Sequence, residues 1–300
     1  MNNPTQRKPH LDSLAIGLLL TCCLFWGWQQ VLVKATLPLI PPVMQVALRF
    51  SFATLIVMLW CRWRGIELFG KDDTLQAGIW VGVLFALEFI CLYVGMLYTS
   101  ASRLTVFLYT APFVVALLLP RFVASEALKP VQWIGLACAF AAVVFAMSGN
   151  FGSANQTWLG DGLALAAGAF WGLTTVVIRA TKLVGIRAEK LLFYQLSISS
   201  LLLLPASLLM GEHWIASFEN MNAFAWGSLA IQTTIGAFLS YLAWMWMLGR
   251  YPATQLASFT FLTPVFALIV GAWWLDEPIT ASLVAALVLV GTGIVLVNRK

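Results

Sequence analysis

The sequence predicts an all-α integral membrane protein whose ten transmembrane helices form two inverted repeats of five helices. Three observations support this fold class: the composition, a series of ten apolar segments, and a match between the two halves of the chain. The 300 residues are 61% hydrophobic and only 10% charged, whereas about a quarter of the residues in ordinary globular proteins are charged. A single soluble core could not bury so much apolar surface, so lipid is expected to cover part of it.

A helix that spans a bilayer needs about 20 mostly apolar residues, and ten segments of this chain meet or approach that length. The first follows a polar tail, Met1 to Asp12, and lacks a small-residue cleavage site, so we interpret it as a retained helix. Short linkers with Pro, Gly, Asn or charged residues separate the segments and leave no room for a soluble domain. The predicted helices cover residues 13–33, 43–61, 75–98, 102–121, 131–148, 159–178, 190–210, 223–248, 253–275 and 280–297.

The Lys and Arg residues predict the orientation, because the cytoplasmic loops of membrane proteins are enriched in them. With the N-terminus inside, all but three of the 17 Lys and Arg residues lie on the cytoplasmic side. The exceptions are Lys34 and Arg103 outside, and Arg49 within the second segment. We therefore expect both termini in the cytoplasm. The chain has no long basic run, so nucleic acid is not an expected partner.

The two halves of the chain share motifs at matching places. Residues 25–27 (Phe-Trp-Gly) in the first segment match residues 170–172 in the sixth, and Pro112 in the fourth segment matches Pro264 in the ninth. An acidic turn follows each proline, at Glu126 and Glu277. Because each half holds five helices, an odd number, the second half enters the membrane from the opposite side. The sequence thus predicts two inverted units, residues 1–150 and 151–300, an arrangement typical of transporters.

These motifs, together with residues 48–50 (Leu-Arg-Phe), resemble the drug/metabolite transporter superfamily, EamA type. The resemblance covers nearly the whole chain, and the order and duplication of the motifs make it specific. It implies a secondary transporter of the bacterial inner membrane, with a substrate site between the halves. Within the superfamily, the chain is similar to bacterial exporters of aromatic and other neutral amino acids. The second half departs from the pattern with Gln195 where the first half has Arg49.

Several charged residues within or at the ends of the apolar segments have more than one interpretation. Glu88 must face a cavity or a partner or be protonated, since a carboxylate facing lipid would cost several kcal/mol. It could carry a coupling proton, bind a substrate ammonium group, or be a hydrated pore residue. Arg49 could snorkel to the surface or connect helices. Lys34 and Arg179 end their helices at opposite faces and are interpreted as interfacial anchors.

Prolines, polar side chains and deep aromatic residues complete the set of cavity candidates. Matching helix interruptions in two halves are a pointer to a substrate site, although ordinary kinks are the alternative. Gln30 and its repeat partner Thr175 could hydrogen-bond either a substrate or other helices, and the aromatic residues could line a wall or pack in the core. The predicted cavity residues are Trp26, Gln30, Glu88, Leu92, Tyr109, Pro112, Trp171, Thr175, Tyr241, Trp244, Phe261 and Pro264.

The leading hypothesis is a secondary exporter that moves neutral amino acids over a broad range by alternating access. An exporter of drugs or other metabolites with the same fold is the first rival, and a receptor or scaffold is the second. The sequence has two His residues and no metal-ligand cluster, phosphate-binding loop or Ser-His-Asp set, so neither an enzyme nor a cofactor is expected. Pairs of glycines four residues apart favour packing within a monomer. The energy source and the oligomeric state stay open.

Overall fold

The computed structural model describes residues 8–70, 72–99, 101–147 and 157–274, together with residues 288, 289, 292, 293 and 296. These residues form helices and short connections, with no β-strand among them. Five of the helices are long and apolar enough to cross a membrane, judged by length and composition. The outer surface exposes many large apolar side chains, such as Leu201 and Leu209, and lipid is the solvent that suits such a surface. The predicted all-α membrane fold is confirmed.

The first half follows the predicted segments closely. Its fourth segment is interrupted after Leu108, and the second part begins with Ala111 and Pro112. Proline is well tolerated in the first turn of a helix, where its missing N–H would have no partner anyway. The helices of this half are α1 (Ser13–Thr36), α2 (Pro42–Trp63), α3 (Leu75–Tyr98), α4 (Ala101–Leu108), α5 (Ala111–Leu118) and α6 (Pro130–Met147).

The second half repeats this order with two additions that the sequence did not predict. The first is a short helix between the seventh and eighth segments, and the second is a π-helix at Gln232–Ser240. The helices of this half are α7 (Thr157–Ala180), α8 (Ala188–Leu209), α9 (Trp214–Asn220), α10 (Ala223–Ile231), α11 (Tyr241–Arg250), α12 (Ala253–Phe259) and α13 (Leu262–Trp274). The turn at Glu277, and the predicted tenth helix apart from five helical positions, lie outside the described residues.

The Phe-Trp-Gly motifs join the two halves reciprocally. A Cβ atom added at Gly27 of α1 would lie 2.7 Å from the backbone nitrogen of Ala267 in α13. A Cβ added at the equivalent Gly172 of α7 would lie 2.6 Å from Cβ of Val114 in α5. Only glycine permits such close approach, as in small-residue packing between membrane helices. The first helix of each half therefore packs on the interrupted helix of the other, and this interlocking encloses the centre of the molecule.

Candidate functional site

A cavity lies between the two halves, with about 730 Å³ of empty space including its opening. Residues from α1, α2, α3, α7, α8 and α11, and from the end of α4 and the junction after it, line the cavity. The lining residues are Trp26, Gln29, Gln30, Val33, Arg49, Phe85, Glu88, Phe89, Leu92, Tyr93, Leu108, Tyr109, Trp171, Thr174, Thr175, Ile178, Gln195, Tyr241, Trp244 and Met245.

Equivalent faces of α1 and α7 both contribute to this wall. The α1 face consists of Trp26, Gln29, Gln30 and Val33, and the α7 face consists of Trp171, Thr174, Thr175 and Ile178. Both sets have the spacing i, i+3, i+4, i+7 of one helix face. Each α7 residue lies 145 positions after its α1 counterpart, which is the offset of the two Phe-Trp-Gly segments. The inverted repeat therefore builds the cavity from matching residues.

Nine of the twelve residues predicted from the sequence line this cavity, and the other three do not. Phe261 is fully buried, and its ring packs against Phe113 with the ring centroids 6.4 Å apart. Pro112 and Pro264 lie in the first turns of α5 and α13. The two prolines thus contribute to the interruptions rather than to the wall, while Tyr109, in the first interruption, reaches the cavity. That the wall binds substrate stays a prediction.

Arg49 is buried at the wall of the cavity rather than snorkelling, with 0% of its surface exposed. Its Nη1 atom donates a hydrogen bond of 2.9 Å to the Tyr93 hydroxyl, and Nη2 donates one of 2.7 Å to the Tyr241 hydroxyl. With its amide turned to accept, the Gln29 oxygen lies 3.1 and 3.3 Å from the same two nitrogens. Arg49 of α2 therefore connects α1, α3 and the start of α11, which is the second of the two roles predicted for it.

Glu88 lies on the same wall, on the cavity face of α3, with 5% of its surface exposed. Its Oε2 atom has no hydrogen-bond partner among the described residues. Phe85, Phe89 and Leu92 flank it on the same helix face. Glu88 thus faces the cavity, as the cost of exposing a carboxylate to lipid requires.

Aromatic side chains from both halves form a continuous apolar surface beside these charges. The ring centroid of Trp244 lies 5.7 Å from that of Trp26 and 6.2 Å from that of Trp171. Tyr109 meets Trp171 nearly edge to face, at 5.2 Å and 86°. The indole N–H of Trp26 donates to the Ser240 hydroxyl at 2.8 Å, which satisfies the polar atom of a buried ring.

The π-helix lies against the Arg49 side of the cavity, and the sequence did not predict its place there. The Tyr93 hydroxyl donates to the Gln232 side chain at 3.2 Å, and a Cβ atom added at Gly236 would lie 3.2 Å from Nη2 of Arg49. π-Helical turns are rare and frequently occur at functional sites. The packing of this π-helix fixes the Tyr93 phenol and the Arg49 guanidinium group, which border the cavity.

The interfacial-anchor prediction is wrong for Arg179, because its side chain is buried in an ion pair with Glu126. Arg179 Nη1 also donates to the Leu248 carbonyl at 2.9 Å. Glu126 in turn accepts hydrogen bonds of 3.2 Å from the backbone N–H groups of Ala253 and Thr254, where α12 begins. The acidic turn of the first half therefore caps the interrupted helix of the second, which is a structural role for the motif.

Lys34, the repeat counterpart of Arg179, also binds backbone carbonyl groups. Its ammonium group donates to the carbonyl of Met96 and, at 3.0 Å, to that of Thr99. Met96 lies in the last turn of α3, and α3 corresponds to the segment of the second half that contains Leu248, so the two cations make equivalent contacts. Among the described residues, no group of three or more His, Cys, Asp or Glu side chains could hold a metal ion.

Comparison with known proteins gives one family and a common fold. The model of the EamA-like transporter family matches residues 13–148 and again residues 158–299. The chain is 28% identical to an uncharacterized transporter of Bacillus subtilis, covering 94% of this chain and 91% of that protein. It is 25% identical to a probable amino-acid metabolite efflux pump of Salmonella typhimurium, covering 92% of each. A solved structure shares the fold at a TM-score of 0.77 with 18% identity, covering 97% of this chain and 100% of that one.

Proposed function

Because this chain belongs to the EamA-like transporter family, we propose that it exports neutral amino acids, aromatic ones included, from the cytoplasm by alternating access. Membership makes the chain a multi-pass membrane transporter of small molecules rather than an enzyme. The substrate, the direction and the mechanism are the proposal. The observation that carries it is the central cavity, whose wall combines aromatic surfaces from both halves with Arg49 and Glu88.

The inverted repeat supports alternating access. When two halves have equivalent structures of opposite orientation, an exchange of their conformations converts a site open to one side into a site open to the other. The equivalent faces that α1 and α7 present to the cavity support a site between the two halves, where such an exchange would act. The reciprocal packing of Gly27 and Gly172 gives the two halves matching contacts, as such an exchange requires.

The cavity wall supports amino acids as the cargo. Trp26, Trp171 and Trp244 offer apolar faces to a bulky neutral side chain, and the wall also holds one acid and one cation. Pockets of this kind, mostly apolar with a few polar groups, are typical of small-molecule sites. A relative bears the name of a probable amino-acid metabolite efflux pump, in agreement with this cargo. An exporter of drugs or other metabolites is the alternative, because the same aromatic wall suits apolar compounds.

Transport in proteoliposomes tests the cargo. Purified protein is reconstituted into vesicles loaded with unlabelled amino acid, and the exchange of external labelled Phe, Tyr, Trp, Thr and Met is followed with and without a proton gradient. We expect exchange above that of protein-free vesicles for several of the five. No exchange of any of them, together with exchange of unrelated toxic compounds, would favour the alternative cargo.

We also propose that the protein lies in the bacterial inner membrane with both termini in the cytoplasm, as the distribution of Lys and Arg predicts. Lys182 follows α7, Glu219 lies in α9, and both side chains are exposed. Because one spanning helix, α8, separates them in the chain, we expect them on opposite sides of the membrane. Single cysteines at these positions, in a variant without the native cysteines, report the orientation. An impermeant thiol reagent should label position 219 in intact spheroplasts and position 182 only after lysis. The reverse pattern would invert the proposed topology.

A further inference from the structure

We infer that Arg49 and Glu88 are the two charged ends of one binding site, in which Arg49 takes the carboxylate of a zwitterionic amino acid and Glu88 takes its ammonium group. The inference rests on the proposed function and adds the residues that select the cargo. It follows from three features of the cavity: a buried cation that forms no ion pair with the described residues, a buried carboxyl group without a hydrogen-bond donor among them, and an apolar wall beside both.

Within the part of the chain that the structure describes, only neutral groups hold Arg49 in place. Its described hydrogen-bond partners are the hydroxyls of Tyr93 and Tyr241 and the amide oxygen of Gln29, and its Nε atom has no partner. A buried charge is costly unless it is paired, yet none of the described Asp or Glu residues forms an ion pair with it. The planar guanidinium matches a carboxylate in shape and charge. Since neutral partners fix its position, Arg49 is oriented in advance for an anion that enters the cavity.

Glu88 has the complementary chemistry on the same cavity. Its Oε2 atom is buried and has no hydrogen-bond donor among the described residues. A carboxylate accepts hydrogen bonds, and an ammonium group offers three N–H donors. Two opposite charges with a purely structural role would be expected to pair, but no ion pair joins Glu88 to Arg49 in the described part of the chain. Because both groups line one cavity without pairing, that cavity suits a ligand that carries both charges.

The rest of the wall limits what the side chain of the ligand can be. No Asp, Glu, Lys, Arg or His other than Arg49 and Glu88 lines the cavity in the described part of the chain. Trp26, Trp171 and Trp244 present aromatic faces instead. A charged side chain would lose its hydration there without gaining a partner, which is costly. The site therefore selects the zwitterionic backbone by charge and accepts neutral side chains of different sizes.

Competition in the Phe exchange assay tests this assignment. 2-Phenylethylamine lacks the carboxylate of Phe, and 3-phenylpropionate lacks its ammonium group, while both keep the ring. For the wild-type protein, each should compete at least about tenfold more weakly than Phe, the effect of one lost charge-assisted contact. In Arg49→Gln the preference for Phe over 2-phenylethylamine should disappear, whereas the preference over 3-phenylpropionate should persist. In Glu88→Gln the preference for Phe over 3-phenylpropionate should disappear, whereas the preference over 2-phenylethylamine should persist.

The outcomes separate this inference from the proposed function. If wild-type protein exchanges Phe but both analogues compete as well as Phe does, the charge assignment is wrong and the transport function stands. If wild-type protein exchanges no amino acid, the function fails and the inference with it. If a glutamine variant fails to fold, the comparison of Phe, 2-phenylethylamine and 3-phenylpropionate as competitors on the wild-type protein decides the inference alone. A variant that folds and keeps both preferences would also overturn the assignment.

Discussion

At the scale of single residues, one buried ion pair away from the cavity joins the two halves of the described chain, Arg179 with Glu126. Arg179 and Glu126 are each about 5% exposed or less, and Glu126 also accepts two backbone N–H groups and the Thr254 hydroxyl. Such a pair offsets the cost of desolvation only while all of its hydrogen bonds are made. Removing one partner leaves a charge buried without compensation, so the two residues depend on each other.

We therefore expect Glu126→Ala to destabilise the protein by about 3–5 kcal/mol, because Arg179 stays buried and α12 loses its cap. Asp73→Asn is the matched control, since it disrupts an exposed pair with Lys182 in which both side chains lie mostly in solvent. Exposed pairs contribute little to stability. Thermal unfolding in one detergent should show a lower midpoint for Glu126→Ala alone. Equal midpoints for the two variants would refute the structural role of the buried pair.

For single residues, the sequence predicted a side chain's surroundings when its own segment determined them. It did not predict them when they depend on partners far away in the chain. The position of Glu88 in an apolar segment was enough to predict that it faces a cavity. The place of Arg49 was not predictable, because its phenol partners lie 44 and 192 residues away in the chain. Arg179 was misread for the same reason, since Glu126 is 53 residues distant.

At the scale of helices, the close approach of backbones at small residues, rather than hydrophobicity, fixes how the helices pack against each other. The prolines predicted the interruptions of the fourth and ninth segments, and both interruptions lie just before these prolines. The π-helix was not predictable from local sequence. Its Gly236 packs against the side chains of Gln29 and Arg49, both from other helices. Contacts of this kind are set by the folded neighbours and leave no periodic signal in the segment itself.

Two pairs of glycine variants test the helix packing. Gly27→Ala and Gly172→Ala place a Cβ atom within 3 Å of atoms in α13 and α5, and we expect each to destabilise the protein by about 1–3 kcal/mol through overpacking. Gly17→Ala in α1 and Gly162→Ala in α7 are matched controls, because nothing lies within 4 Å of an added Cβ there. The controls should keep the wild-type unfolding midpoint or raise it, since alanine favours helices.

The result that would contradict this packing is a fall in midpoint of the same size for the control and test glycines of one helix. In that case, the loss of glycine flexibility would matter rather than the close approach of the halves. A second readout, exchange of labelled Phe, should fall for Gly27→Ala and Gly172→Ala if movement between the halves depends on these contacts.

At the scale of the whole molecule, the internal repeat explains more of the observed structure than the amino-acid composition does. The offset of 145 residues found between two short motifs also relates the complete cavity faces of α1 and α7. Lys34 and Arg179, which are also 145 positions apart, bind carbonyl groups of corresponding helices. The division at residues 150 and 151 stays a prediction, because it falls outside the described residues. The cargo could not be derived from the fold, since it depends on side chains that distant segments bring together.

The central claim is that amino acids pass through the cavity between the halves. Thr175→Trp tests it most directly, because Thr175 is buried on the cavity wall and an indole there would fill the space. Leu201→Trp in α8 is the control, since that side chain is 67% exposed on the apolar outer surface. With both variants folded, Phe exchange should fall to the level of protein-free vesicles for Thr175→Trp and stay at the wild-type rate for Leu201→Trp. Wild-type exchange by folded Thr175→Trp would contradict the claim.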